Sequence, residues 1–263
     1  MLLENSVIKW SIRVTNWTEI AQTIQTALGL TTPPIAVTFT DAVPAGSASP
    51  QSPVPAGCSF WEMGAYARMA TTAVHHQHCA IGVHTHNLTD APASQQRELE
   101  TALGAMQGLD YVRSDEVARL PVMSASSRYV LYGPLRDVTQ APSLALLFAS
   151  ASQGLIITEA LGRVDGEMPA AMGRPACALI PQVLNSTRSA SSLGCCGARA
   201  YLDSLSEDVA LWALHGEKLE AYTKEIVTLS RANSVLRQFH QNRRAAVESG
   251  EAPTVKESLS TLE

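Results

Sequence analysis

Ser143 to Ser150 reads Ser-Leu-Ala-Leu-Leu-Phe-Ala-Ser, with no charge and no turn residue between its two ends. A strand that meets solvent on one face alternates apolar with polar residues, whereas a strand covered on both faces reads as a continuous apolar run. This stretch is of the second kind and predicts a central strand. Gln153 to Leu161, directly after it, has helical spacing. Upstream, Ile35 to Thr40 (IAVTFT) follows Pro33 and Pro34 and is rich in β-branched residues, as a strand is. Tyr129 to Leu135 and Val209 to Leu214 read as further strands.

Helices alternate with these strands. Asn16 to Leu28 places Ile20, Ile24 and Leu28 on one stripe, with Asn16 and Glu19 as a capping box and Gly29 as terminator. A helical pattern opens at Cys58 and runs through Met69, and another covers Ser94 to Met106. Glu217 to Val247 predicts a long amphipathic helix with a break near Ala232 and Asn233. Such alternation points to an α/β (or α+β) fold: one mixed-sheet domain over 1–263, surrounded by helices, with a long C-terminal helix. The Pro-, Ser- and Gly-rich segment 41–57 reads as a loop, and the polar tail from about residue 248 as frayed. The long helix could pack on the body or join two copies, which makes a homo-oligomer an expectation.

The bulk numbers exclude several classes. Of 263 residues, 46% are hydrophobic and 16% charged, a balance that suits a large core and not disorder. The net charge of -5 leaves no basic footprint, so nucleic acid is not an expected partner. No apolar run is long enough to span a bilayer, and the N-terminal residues lack the pattern of a signal peptide, so a cytoplasmic location with no membrane partner is expected. Phosphate-binding glycine loops, the His-Glu-x-x-His zinc pattern and the Gly-x-Ser-x-Gly nucleophile elbow are all missing from the sequence.

Chemistry concentrates at the cysteines. Cys58, Cys79, Cys177, Cys195 and Cys196 form an odd set in a chain expected to meet reducing conditions, which argues against disulfides. Their spacing has no Cys-x-x-Cys pair, and a buried cysteine is often just a small hydrophobe. Their surroundings favour chemistry. Each stands beside glycine, proline or a polar turn, where backbone can approach a bulky inorganic centre.

At these residues the sequence resembles the domain of unknown function 169 family. The features that carry the likeness are the proline-led strand Pro34 to Phe39, Cys58 opening a helix, Cys79 with Gly82, Cys177 with Pro181, and the turn Gly194-Cys195-Cys196-Gly197-Ala198-Arg199. The resemblance covers most of the chain and maps Cys58, Cys79, Cys177 and Cys195 onto the family pattern. It implies a shared site more than a shared reaction. Four thiolates from remote segments suit a [4Fe–4S] cluster, with tetrahedral zinc as the rival.

The expected function is an iron–sulfur enzyme acting on a small molecule by reductive or Lewis-acid chemistry, such as loss of sulfur, halide or water. Reductive chemistry would require an electron donor. The alternatives are a carrier or sensor of metal or cluster, and a zinc-stabilised binding domain. Five of the seven histidines lie between Thr71 and Asn87. Of these, His78 and His84 flank the Cys-Ala-Ile-Gly segment and are the expected acid–base groups. Arg199 is expected to hold an anionic substrate or pair with cluster charge, or else to serve as a salt bridge or carbonyl clamp, and Cys196 is a candidate catalytic group as spare ligand, acid–base group or nucleophile. Trp61 and Tyr66 could wall a pocket or belong to the core.

Overall fold

A computed structural model describes residues 16–51, 54–173, 175–194 and 197–260. In chain order the elements are α1 (Trp17–Leu28), β1 (Ile35–Thr40), α2 (Ser59–Gly64), β2 (Met69–Thr71), α3 (Ala80–Thr85), α4 (Ala93–Gly108), α5 (Ser114–Ala118), β3 (Tyr129–Pro134) and β4 (Leu144–Ser150). Then follow α6 (Ala151–Asp165), β5 (Ala170–Met172), α7 (Leu179–Ser186), β6 (Ala190–Ser192), α8 (Ala198–Tyr201), β7 (Val209–His215), α9 (Leu219–Glu248) and α10 (Val255–Ser260).

The strands form one sheet in the order β2-β3-β1-β4-β7-β6-β5. Every described pairing is antiparallel except β5 with β6, so the sheet is mixed. The apolar run 144–149 lies at its centre as β4, with Leu146 opposite Ile35 on one side and Ala213 on the other. Successive side chains of a strand point to opposite faces, and the two faces feed two cores. Leu144, Leu146 and Phe148 join Ile35, Val37, Leu211 and Ala213 on one face. Ala145, Leu147 and Ala149 join Ala36, Trp212 and Leu214 on the other, where α1, α6 and the first half of α9 cover them through Ile24, Ile157 and Tyr222. The first face carries α2, α3 and α7, and with them Cys58, Cys79 and Cys177.

Helix ends follow their local chemistry. Asn16 caps α1 by accepting from the Glu19 amide at 3.2 Å, and Gly29 closes the helix at φ 66°. Glu19 contacts the Asn16 side-chain amide at 3.5 Å in place of the expected backbone group.

Three expectations are corrected. The helix from Cys58 stops at Gly64, and Met69 opens β2, because pairing with β3 through Met69 and Tyr132 outweighs the helical pattern. α9 runs 30 residues without a break at Ala232 and Asn233. The tail folds back as α10, because Thr254 and Glu257 form a reciprocal capping box and Arg243 donates to the Pro253 carbonyl at 2.8 Å.

Candidate functional site

Three cysteines from three segments line a single cavity of about 610 Å³ on the first face of the sheet. Cys58 is the N-cap residue of α2, and Cys79 is the N-cap residue of α3. Cys177 lies in the short 3-10 turn Ala176–Ala178, which Pro175 opens and α7 continues. Each cysteine thus sits where a helix begins, and first-turn amides there lack partners within the helix. α2 is held tightly on the sheet: a side-chain carbon at Gly64 would come within 2.9 Å of Tyr132. Cys58 and Cys177 are buried and Cys79 is half-buried. Burial, reinforced by Cys58, Cys79 and Cys177, pushes the Tyr132 phenol well above its ordinary pKa.

Two fully buried histidines border the same cavity. His76 and His86 are each 1% exposed, and their rings meet edge-on at 6.0 Å. Burial holds His76 well below the usual imidazole range, and the nearby His86 and His75 add to the effect. Burial takes His86 down to about 4, opposed by the Cys177 backbone, which lies outside hydrogen-bonding geometry. Both rings are therefore neutral near pH 7.

The hydrogen bonds fix the tautomer of His76. Thr71 donates its hydroxyl proton to the Val130 carbonyl at 3.1 Å. Its oxygen therefore accepts from His76 Nε2 at 3.1 Å, so Nε2 carries the proton. Nδ1 is left as a bare lone pair with no partner. Gly57 and Gly82 leave room beside it. A side-chain carbon at Gly57 would fall 2.3 Å from His76 Nδ1, and one at Gly82 would fall 2.9 Å from Cys79 Sγ. Both nitrogens of His86 and Oε1 of Gln95 also lack partners while buried. Buried polar atoms are normally satisfied, so this concentration around one cavity points to a missing guest.

The remaining expected residues fall in different places. His78 lines the cavity rim and is exposed, its Nε2 3.3 Å from Gln77 Nε2. His84 is exposed on α3 and does not line the cavity. Arg199 clamps backbone: its guanidinium donates to the carbonyls of Leu193, Leu205, Ser206 and Val209. That is the carbonyl-clamp role, and it pins the chain on either side of α8. Trp61 is a buried core residue, and Tyr66 is 65% exposed. Cys195 and Cys196 lie outside the described residues, although Gly197 and Ala198, which follow them, line the cavity. Among the described residues, no three His, Cys, Asp or Glu side chains stand in reach of a single metal ion.

Sequence reasoning missed His76, His86 and Gln95. For His86 a signal existed: it stands three residues after buried Val83, on the same side of α3. His76 offered none, because its burial depends on Thr71 of β2 and on Phe60, whose ring lies 5.0 Å away.

The chain has no match among curated proteins or solved structures. The profile of the domain of unknown function 169 family, described as uncharacterised ArCR, matches residues 23–224. That span takes in all five cysteines, the cavity and the whole sheet. The chain belongs to the domain of unknown function 169 family.

Proposed function

We propose that this protein is an iron–sulfur enzyme that acts on a small molecule, with Cys58, Cys79 and Cys177 as thiolate ligands of a [4Fe–4S] cluster and Cys195 as the fourth thiolate the sequence offers. The observation that carries this reading is the meeting of three cysteines from distant segments at one cavity ringed by unpartnered buried polar atoms. The donor set fits: soft thiolates select iron–sulfur or zinc. A cluster is held at the corners of a cube, so its thiolates need not meet at one point, as the ligands of a lone zinc ion must.

When bound, the cluster would supply electron transfer or, with one iron open, Lewis-acid polarisation of a substrate oxygen, sulfur or halogen. The chain's own residues have separate tasks. His76 Nδ1 offers a neutral acceptor, held in one tautomer by Thr71. His86 offers one donor and one acceptor nitrogen in a water-poor wall. His78 at the rim is placed to exchange protons with solvent. Arg199 holds the turn after Leu193 in place through its carbonyl contacts. A reductive reaction would also need an electron-donor partner.

The cavity favours an enzyme over a carrier, because a carrier has no use for an apolar chamber beside its centre. No described helix is long and apolar enough to cross a membrane, which agrees with the cytoplasmic setting that forms part of this proposal. Exposed Val227, Val235 and Leu236 on α9 keep a homo-oligomer within it, and sedimentation as a strict monomer would remove that element.

The test is iron and acid-labile sulfide content, with visible absorption and electron paramagnetic resonance, on protein purified without oxygen. The expected result is sulfide and iron in near-equal amounts, with loss of the spectrum in Cys58→Ser, Cys79→Ser and Cys177→Ser. Stoichiometric zinc without sulfide would replace this reading with a zinc-stabilised fold.

A further inference from the structure

The cysteine cavity does not end at α4. A second chamber of about 400 Å³ shares Ile81, Met106 and Pro175 with it, and is walled beyond them by Leu103, Val117 and Leu120. α4 spans both. It buries only Gln95 and Leu99 in the body, while Ala102, Leu103 and Met106 are half-buried and face the chambers. Gln95 to Met106 is roughly 16 Å along a helix axis. The polar wall and the apolar wall are therefore separated along one helix.

The polar end is specific about its guest. Gln95 Nε2 donates to the Ala73 carbonyl at 3.0 Å, which fixes the amide, and leaves Oε1 buried with no donor. Both nitrogens of His86 are buried with no partner, and at least one of them carries a proton that needs an acceptor. Among the described residues that line the two chambers there is no lysine or arginine, and Glu98 lies in the wall of the first. A carboxylate head has no proton to give Gln95 Oε1, meets no cation among the described lining residues, and would be costly to bury.

We propose that the substrate is an uncharged amphipathic molecule, with an amide- or thioamide-like head that both donates and accepts at Gln95 and His86, and an apolar tail that passes Met106 into the second chamber. The proposal rests on the reading of the cysteine cavity as a substrate site. It names the substrate class, not the reaction.

Straight-chain primary amides, from butanamide to hexadecanamide, test this by calorimetry on the full-length protein, with iron and sulfide measured on the same preparations. Affinity should rise about fourfold per added methylene while the tail is entering the second chamber, and then level off. Leu120→Asp and Leu103→Asp, with folding checked by circular dichroism, should flatten that rise. Gln95→Leu should weaken every member by a similar factor, and alkyl carboxylates of equal length should bind more than tenfold less tightly than the amides. Absence of binding, affinity independent of chain length, or a gradient unchanged in both Asp variants would overturn the proposal. A gradient in protein that contains no iron or sulfide would sink the cluster and spare this inference; loaded protein without a gradient would do the reverse.

Discussion

His76 and Thr71 form a buried pair 3.1 Å apart in which the direction of the hydrogen bond is fixed, because the Thr71 hydroxyl is already committed to the Val130 carbonyl. The edge strand β2 thereby decides which nitrogen of His76 is left as a buried lone pair without a partner. Nitrogen-edge NMR on labelled protein should find His76 neutral and protonated at Nε2.

Thr71→Val keeps the shape and removes both hydrogen bonds. It leaves the His76 Nε2 proton buried without a partner, an expected loss of about 1–3 kcal/mol in stability. Thr71→Ser should retain most of it. Urea denaturation compares the two, and equal midpoints for the Val variant and the parent would contradict the assignment.

Gly82→Ala places a methyl group 2.9 Å from Cys79 Sγ. Either the sulfur or α3 must move, at an expected cost of about 1–3 kcal/mol together with reduced iron content. Gly104→Ala on α4 is the control. A carbon there meets nothing within 4 Å, so the change should stabilise the helix by about 0.5–1 kcal/mol. Thermal melts and metal analysis of both variants read the contrast.

Arg199→Ala removes a cation shared by four backbone carbonyls, and stability should fall by about 2 kcal/mol or more. Arg199→Lys should recover little, since a compact ammonium cannot reach four diverging acceptors as a planar guanidinium does. A variant with parental stability but weakened substrate binding would instead assign Arg199 to the substrate.

His215 closes β7 and is 8% exposed, with Nδ1 unpartnered. Burial lowers its pKa, Lys218 acts in the same direction, and Glu217 and Asp165 partly oppose both. The unfolded chain therefore binds the proton more readily than the folded one. This contribution to stability is complete above the ordinary imidazole pKa and declines as pH falls below it. His215→Gln should lose less stability than the parent between neutral and mildly acidic pH. Denaturant midpoints across that window test the difference, and parallel curves would exclude His215 as a source.

Much of the fold was written locally. The apolar run 144–149 announced a strand covered twice, and side-chain alternation sent Leu146 and Leu147 to opposite cores with no help from distant residues. Asn16 and Gly29 bounded α1 for reasons contained within one helix. Cys58, Cys79 and Cys177, too, were legible locally, since each stands at a helix start that its own neighbours create. What the sequence left open was decided by packing between segments. Met69 followed a helical pattern and became a strand because β3 offered it a partner. Among five clustered histidines, His76 and His86 were chosen over His78 and His84 by what α2, α3 and β2 bring against them. Burial and tautomer are properties of surroundings, and those surroundings come from separate elements that packing brings together, from Gly57 to Val130, so no local pattern could encode them.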